Sequence, residues 1–304
     1  MTHPLSEPAP GRYANILYDD WFRRSFGTEG SRRLLTLFLQ EIIPEHRITD
    51  LTYVSQEHVN PVARKKGVRI DVECTDADGS RFVVEMQLAP QRHFYERAVF
   101  NSTFAIQQQL ERGASGYDFP TVYFVGIMDF SLHAGSDRVL YRYSLQDERG
   151  ERMTDRIQYL FLELPNCTRA LTPEATVIDN FCYALHNMAR LEDRPAGMEA
   201  EIFSLLFDSA EIVNFTPEEK AKYEHEMRTE RDFHNQLAYA REKGIEDGLK
   251  QGREEGKEQG IRDTQLETAR RMLVDGLSPD LVAKYSGLPE EEVRSLAAVP
   301  SPSA

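Results

Sequence analysis

The sequence predicts an α/β (α+β) fold: a mixed sheet flanked by helices over about residues 12–215, followed by a helical C-terminal tail. Apolar periodicities follow one another in the order helices, strands, one helix, strands and helices, which is typical of such a core. The stretch 121–130 is nearly continuous in apolar residues, as in a central strand covered on both faces. Half of residues 218–263 are charged, which sets the tail apart from the core.

Two helices are predicted at the start of the core. Three aromatic residues spaced four apart indicate the first helix: Tyr18, Phe22 and Phe26. This helix should end at Gly27. Ser31 is a candidate cap for a second helix over residues 32–43, and Pro44 ends that segment. Residues 1–11 are polar, carry prolines and are expected to be disordered.

The later core elements follow from changes in the apolar period. After a first strand from Ile48, the sequence predicts a hairpin, one long helix, three strands and further helices. The bounds are 65–90 for the hairpin, 93–112 for the helix, 121–130, 139–145 and 156–164 for the strands, and 173 onward for the helices. The long helix should bury Phe94 and Ala98 and end at Gly113.

The tail divides into a charged helical linker over 216–264 and a small helical module over 265–304. Glycine recurs at residues 244, 248, 252, 256 and 260, and each glycine costs roughly 1 kcal/mol relative to alanine inside a helix. Two interpretations are open: a semi-flexible tether, or a glycine stripe that lets two chains approach and form a homo-oligomer. The module resembles a helix-turn-helix, but the acidic residues 290–292 at its recognition position would repel phosphates, which equally favours a packing or protein-interaction role.

Composition excludes several classes of protein. Of the 304 residues, 40% are hydrophobic, which is enough to bury a sizeable core, and only three are cysteines, with no C-x-x-C spacing. A disulfide scaffold and a zinc ribbon are therefore not expected. No stretch approaches the roughly 18 apolar residues that a membrane span needs, so we expect a cytoplasmic protein with no membrane partner.

The net charge of −14 is unevenly distributed along the chain. Residues 1–72 hold ten basic and nine acidic side chains, which leaves 26 basic and 41 acidic side chains for residues 73–304. A binding surface needs only a local field. The total charge therefore does not exclude a polyanionic partner for the N-terminal part.

Residues 65–90 predict both a β-hairpin and its register. Two alternating runs flank a turn rich in Asp and Gly. A three-residue loop over 77–79, with Gly79 in the left-handed conformation, makes the numbers of paired residues sum to 156. One face then carries only apolar pairs: Val68–Leu88, Ile70–Met86, Val72–Val84 and Cys74–Phe82. A two-residue loop would mix apolar and charged residues on each face, so burial selects the longer loop.

The other face of the hairpin brings two carboxylates together. Asp71 and Glu85 would lie opposite each other with Cβ atoms about 4.5–5.5 Å apart, which is destabilising unless a cation lies between them. Two hard carboxylates suit Mg²⁺ or Mn²⁺, and a shared proton is the alternative. Gln87 could hold a water or a phosphate oxygen there, and Met86 would offer only its backbone carbonyl. From the pattern alone, a metal site and a solvated strand face are equally open.

Six ordered motifs carry a family resemblance. Asp71 with the run Glu85-Met86-Gln87 resembles the site of the PD-(D/E)XK nucleases, with Gln in place of the usual Lys. The surroundings resemble the Rpn family of recombination-promoting nucleases, also described as transposases. The family's D-x-x-F-K-x-x-F-G is matched at 19–27, its R-x-D-V, Gly and E-M-Q at 69–72, 79 and 85–87, and its three later motifs at 94–97, 109–117 and 120–130. The glycine repeat and the terminal module are also similar to family tails.

This resemblance implies a restriction-endonuclease-like fold and a metal-dependent DNA endonuclease that acts by hydrolysis. In such a site Asp71 and Glu85 bind the divalent ion, and the Met86 backbone carbonyl is a further ligand. The ion acidifies an attacking water and neutralises charge on the phosphate. Gln87 stands at the usual Lys position and can orient the water without supplying a positive charge. Asp19 matches a family acid and is either a further metal ligand or a helix N-terminal carboxylate favoured by the helix dipole.

Basic residues around the motif predict where DNA would bind. The candidates for phosphate contacts, whose affinity should fall steeply with salt, are Arg23, Arg24, Lys65, Lys66, Arg69, Arg92 and Arg97. A function of a different class is also open: a nuclease-fold protein with weak or no catalysis that acts as a DNA-binding or oligomeric assembly module.

Overall fold

The computed structural model describes residues 11–54, 70–110 and 116–298. These residues form a six-stranded mixed sheet flanked by helices, so the predicted fold class is confirmed. The strands are β1 (Leu51–Tyr53), β2 (Val72–Asp76), β3 (Arg81–Gln87), β4 (Val122–Met128), β5 (Leu140–Ser144) and β6 (Ile157–Glu163). The helices are α1 (Asp19–Phe26), α2 (Arg32–Ile42), α3 (Phe94–Gln109), α4 (Val177–Asn187), α5 (Glu201–Ala210), α6 (Pro217–Val274), α7 (Pro279–Ser286) and α8 (Glu290–Ala298).

The sheet has a parallel centre and antiparallel edges. Its strand order is β1-β2-β3-β4-β6-β5, with β3, β4 and β6 parallel to one another. Strands β1, β2 and β5 pair antiparallel with their neighbours. All seven residues of β4 are buried, as the apolar run at 121–130 predicts for a strand covered on both faces.

Two apolar cores cover the two faces of the sheet. The larger core packs α1, α2, α4 and α5 against one face, with Phe22, Phe38 and Phe181 among its buried side chains. The smaller core packs α3 against the other face, where Phe94 meets Phe161. Gly126 of β4 lies under this contact, and a Cβ built there would be 2.7 Å from the Phe161 ring. The close approach of the two aromatic rings to the sheet therefore requires glycine at this position.

The hairpin of β2 and β3 has the predicted register. Val72 pairs with Val84 and Cys74 with Phe82, and Gly79 adopts a φ of 80°, in the left-handed region. The pairing ends at Val72, and a bend occupies position 71. Ile70 consequently packs against the smaller core, whereas Met86 lies in the larger one. The expectation that these two residues share one apolar face is wrong, because alternation is lost where the ladder ends.

The first two helices begin and end close to where the sequence predicts. Helix α1 ends at Phe26, and the N–H of Gly27 donates to the carbonyl of Arg23 over 2.7 Å. The side chain of Ser31 does not cap α2; its hydroxyl contacts Thr28 instead. Helix α3 ends at Gln109, and Gly113, its predicted end, lies outside the described residues.

The chain divides into two compact units, Met1–Met227 and Arg228–Ala304. Helix α6 runs unbroken for 58 residues and includes all five glycines of the repeat. A Cβ added at any of them would meet no atom within 4 Å. Nothing in the described part of this chain therefore requires glycine there, and both interpretations of the repeat remain open. The predicted C-terminal module begins with the end of α6, where Ala269 packs on Val282 and Val293.

No helix in the described part of the chain is both long enough and apolar enough to cross a membrane.

Candidate active site

Two acidic residues lie near the open end of the β2–β3 hairpin. Glu85 belongs to β3, and strand alternation places it on the face that packs against α3, between Val83 and Gln87. Glu85 is only 5% exposed. Asp71 precedes β2 in the bend, and 12% of its side chain is exposed. A buried carboxylate is uncommon and calls for a physical explanation.

Asp71 has two hydrogen-bond partners of different kinds. The backbone N–H of Met86 donates to its Oδ2 over 3.0 Å, and the guanidinium of Arg23 on α1 donates to its Oδ1 over 2.9 Å. Burial raises the pKa of Asp71 above its usual value, although the bonds from Met86 and Arg23 act in the opposite direction. The charge of Asp19 also raises the pKa of Asp71. The ladder ends at Val72, and beyond it the Asp71 side chain accepts the N–H of Met86 where a backbone pairing would otherwise continue.

Glu85 is held by a single close donor among the described residues. The amide of Asn101 on α3 donates to its Oε1 over 2.7 Å, and Arg97, one turn earlier on the same helix, stays 3.8 Å from its Oε2. Burial raises the pKa of Glu85 to about 7, with repulsion from Asp71 as the next cause. At neutral pH the charged form of this side chain is therefore not strongly favoured.

The two carboxylates and the two arginines form an electrostatic unit with incomplete hydrogen bonding. Asp71 and Glu85 repel each other, while Arg23 and Arg97 offset part of their charge. The Nε of Arg23 is buried and has no acceptor among the described residues. An unpaired buried donor costs about 1–3 kcal/mol. The arrangement is less than optimal for stability, which is a common property of functional sites.

The remaining predicted site residues lie around this pair. Gln87 ends β3 two positions after Glu85, and its backbone carbonyl accepts the N–H of Asp129 over 2.9 Å. Met86 lies between them in the same strand. Asp19 is exposed at the first position of α1, and its effect on the pKa of Asp71 places its charge near the site. The fold brings these sequence-distant residues to one end of the hairpin.

The predicted phosphate contacts fall into four groups. Lys65, Lys66 and Arg69 lie outside the described residues. Arg92 is exposed just before α3, while Arg23 and Arg97 contact the carboxylates.

Arg24 points elsewhere. Its guanidinium bonds to Glu219 over 3.0 Å and to the carbonyl of Ser209 over 2.8 Å, and it lies 4.6 Å from the Phe215 ring. The fold already uses this side chain, so its predicted phosphate contact finds no support in these interactions.

Sequence reasoning missed Asn101 as a partner of the site. Asn101 is 5% exposed and lies on the inward face of α3, three residues after the buried Ala98. A polar residue on an otherwise apolar helix face was the available signal, because such a side chain needs a buried partner.

A second group of possible metal ligands lies at the turn end of the hairpin. His46, Asp76 and Asp78 place one ligand atom each within 4.8 Å of one another. Asp76 already serves the turn, because its Oδ1 accepts the N–H groups of Asp78 and Ser80 over 3.0 and 2.9 Å. His46 contacts its other oxygen over 2.5 Å. These hydrogen bonds explain the cluster, because Asp76 holds the tight turn in place.

Comparison with protein families gives a match over most of the chain. Residues 17–240 match the family described as PD-(D/E)XK nuclease family transposase. This range includes all the residues of the candidate site and the first turns of α6. Neither the curated proteins nor the solved structures contain a match.

Proposed function

Because the chain belongs to the PD-(D/E)XK nuclease family of transposases, we propose that it is a divalent-metal-dependent endonuclease that hydrolyses phosphodiester bonds in DNA. The proposed site consists of Asp71, Glu85 and Gln87. One observation carries the proposal: Glu85 is buried on the sheet face that packs against α3, and its pKa is raised to about 7 by burial and by the neighbouring Asp71. Such a pair is costly for the fold alone but useful for holding a cation.

The donor set fits a small, hard divalent cation. Asp71 and Glu85 offer carboxylate oxygens, and Met86 offers a backbone carbonyl. Mg²⁺ and Mn²⁺ prefer oxygen ligands, and Mg²⁺ is commonly held by one or two carboxylates plus waters and substrate phosphates. When bound, the cation would supply a Lewis acid that lowers the pKa of a water and offsets negative charge on the phosphate. Asp19 is a candidate for an additional contact through a water.

The protein's own residues would orient the reactants. Gln87 lies on the same strand face as Glu85 and can hydrogen-bond the attacking water, but it contributes no charge. Positive charge must then come from arginines. Arg23, Arg92 and Arg97 are the described basic residues of this region that we propose as contacts for the DNA backbone. Affinity for DNA would fall with rising salt, because each phosphate contact releases counterions.

The proposal is tested by plasmid nicking with purified protein in Mg²⁺ or Mn²⁺. Asp71→Asn and Glu85→Gln should each lower the cleavage rate by about 100-fold or more, because each removes a charged group that acts in the transition state. Glu73→Gln is a matched control: Glu73 lies in the same hairpin, is similarly buried and pairs with Arg81 over 3.0 Å. This variant should cleave at close to the wild-type rate.

Cleavage that persists in EDTA, or that survives both site substitutions, would show the assignment to be wrong. The alternative function predicts a different pattern. A nuclease-fold DNA-binding or assembly module would bind DNA and show no metal-dependent cleavage.

A further inference from the structure

Arg23 contacts Asp71 and Arg97 contacts Glu85 in the candidate site. We infer that Arg23 and Arg97 hold Asp71 and Glu85 in the metal-free protein and transfer to DNA phosphates when a divalent cation takes their place. This inference rests on the proposed function, since it needs a cation and DNA at the same site. The arginines would compete with the metal for the two carboxylates before they bind the DNA phosphates.

Asp71 is held by one fixed and one movable donor. The N–H of Met86, which bonds to Oδ2 over 3.0 Å, belongs to β3 and is fixed by the sheet. Arg23, which bonds to Oδ1 over 2.9 Å, is a long side chain that can change rotamer. A cation bound to Asp71 would repel the guanidinium at this distance. The ion pair with Arg23 is therefore the interaction that would yield.

Glu85 shows the same division of roles. The buried amide of Asn101 fixes Oε1 over 2.7 Å without carrying charge. Arg97 lies 3.8 Å from Oε2 and offsets part of the charge of the carboxylate, and 39% of its side chain is exposed. Asn101 can keep Glu85 oriented while Arg97 moves away.

When both acids are ionised, the charges balance before and after the exchange. In the metal-free protein two carboxylates face two guanidinium groups. A divalent cation brings two positive charges to the same carboxylates and leaves both arginines uncompensated. A DNA phosphate supplies the missing negative charge, and a guanidinium binds phosphate oxygens through paired N–H donors.

Neighbouring arginines of α1 differ in a way that supports this transfer. Arg23 keeps a buried Nε without an acceptor among the described residues, so its hydrogen bonding is incomplete. Arg24 is engaged by Glu219, by the Ser209 carbonyl and by the Phe215 ring. The fold uses Arg24 and leaves Arg23 with a spare donor. Arg24→Gln is therefore a matched control for the loss of an α1 ion pair.

The first measurement is Mn²⁺ binding to the full chain by calorimetry at pH 8. Arg23→Gln and Arg97→Gln should each bind Mn²⁺ about tenfold more tightly than the wild type, because a positive charge has left the site. Arg24→Gln and the charge-preserving Arg23→Lys should bind Mn²⁺ as the wild type does. If one glutamine variant fails to fold, the other provides the test.

The second measurement is the binding of a labelled DNA duplex, followed by fluorescence anisotropy in EDTA and in Ca²⁺, a cation chosen to slow cleavage. The wild type should bind the duplex more tightly with Ca²⁺, and Arg23→Gln should lose this gain. Mn²⁺ binding that is unchanged or weaker in both glutamine variants would overturn the inference while leaving the proposed function intact. A wild type that binds no Mn²⁺ would overturn both.

Discussion

Two buried glutamates of the same sheet, Glu85 on β3 and Glu163 at the end of β6, have opposite electrostatic environments. Strand alternation places both on the face that packs against α3. Glu163 is fully buried and accepts hydrogen bonds from Ser131, His133 and Asn166 over 2.6–2.8 Å. Burial alone would raise the pKa of Glu163, but the bonds from His133 and Ser131 outweigh it and lower the pKa. Glu85, by contrast, has a pKa raised to about 7.

Both side chains are nearly inaccessible to solvent, and they differ in their partners. Glu163 has enough donors to remain ionised, and its bonds join the β4–β5 connection to the end of β6. Glu85 has one close donor and a second carboxylate nearby, so its charged form is poorly compensated. A carboxylate with complete hydrogen bonding stabilises a fold, whereas one left incomplete can accept a cation or a proton. This contrast supports a structural role for Glu163 and the functional role that we propose for Glu85.

The largest expected effect tests the structural half of this comparison. Glu163→Gln should lower the free energy of unfolding at neutral pH by about 3–5 kcal/mol, because it removes the charge from a buried, hydrogen-bonded group. The ionised Glu163 contributes its stability above its usual pKa, and that contribution is lost as the pH falls through the lowered value. Urea unfolding at pH 7 and pH 3 should show a smaller penalty at pH 3. A penalty as large at pH 3 would contradict this account.

The next prediction concerns Glu85 and has the opposite sign. Since its pKa rises from 4.5 to about 7 on folding, the protonated form stabilises the fold fully below about pH 4.5, and this stability is lost as the pH rises through about 7. Glu85→Gln should therefore stabilise the metal-free protein at pH 8 by about 3 kcal/mol, with little effect at pH 4. Urea unfolding in EDTA measures both values. A loss of stability at pH 8 would mean that Glu85 is a structural residue like Glu163.

The smallest expected effect concerns the two asparagines that donate hydrogen bonds to these glutamates. Asn101→Ala should cost about 1 kcal/mol at pH 8 in EDTA, because Glu85 loses its close hydrogen bond. Asn166→Ala, the matched change beside Glu163, should cost a similar amount. Mn²⁺ distinguishes the two: it should stabilise the Asn101 variant less than the wild type, and the Asn166 variant as much as the wild type. Equal stabilisation of both variants would argue against a role for Asn101 in orienting Glu85.

Local patterns were sufficient to predict much of the fold. Alternation about the turn at Gly79 predicted the register of β2 and β3, which the pairs Val72–Val84 and Cys74–Phe82 confirm. The apolar run at 121–130 predicted the buried central strand β4. These predictions succeed because each depends on residues close together in the chain, whose burial is recorded in their spacing.

The same patterns failed where the local regularity ended. Nothing in the spacing indicated that the ladder stops at Val72, so Ile70 was assigned to the wrong face. That outcome depends on the backbone conformation at the end of the strand, which the alternation of residue types does not fix.

The sequence by itself determined the two carboxylates on one hairpin, the central strand and the amphipathic helices, because strand and helix periods relate residues a few positions apart. Only the tertiary structure decided which side chains meet those carboxylates. Arg23 comes from α1, Arg97 and Asn101 come from α3, and their approach to Asp71 and Glu85 depends on how both helices pack on the sheet. Whether a buried acid becomes structural or reactive is a property of these long-range partners, because they set the free energy of its charged form.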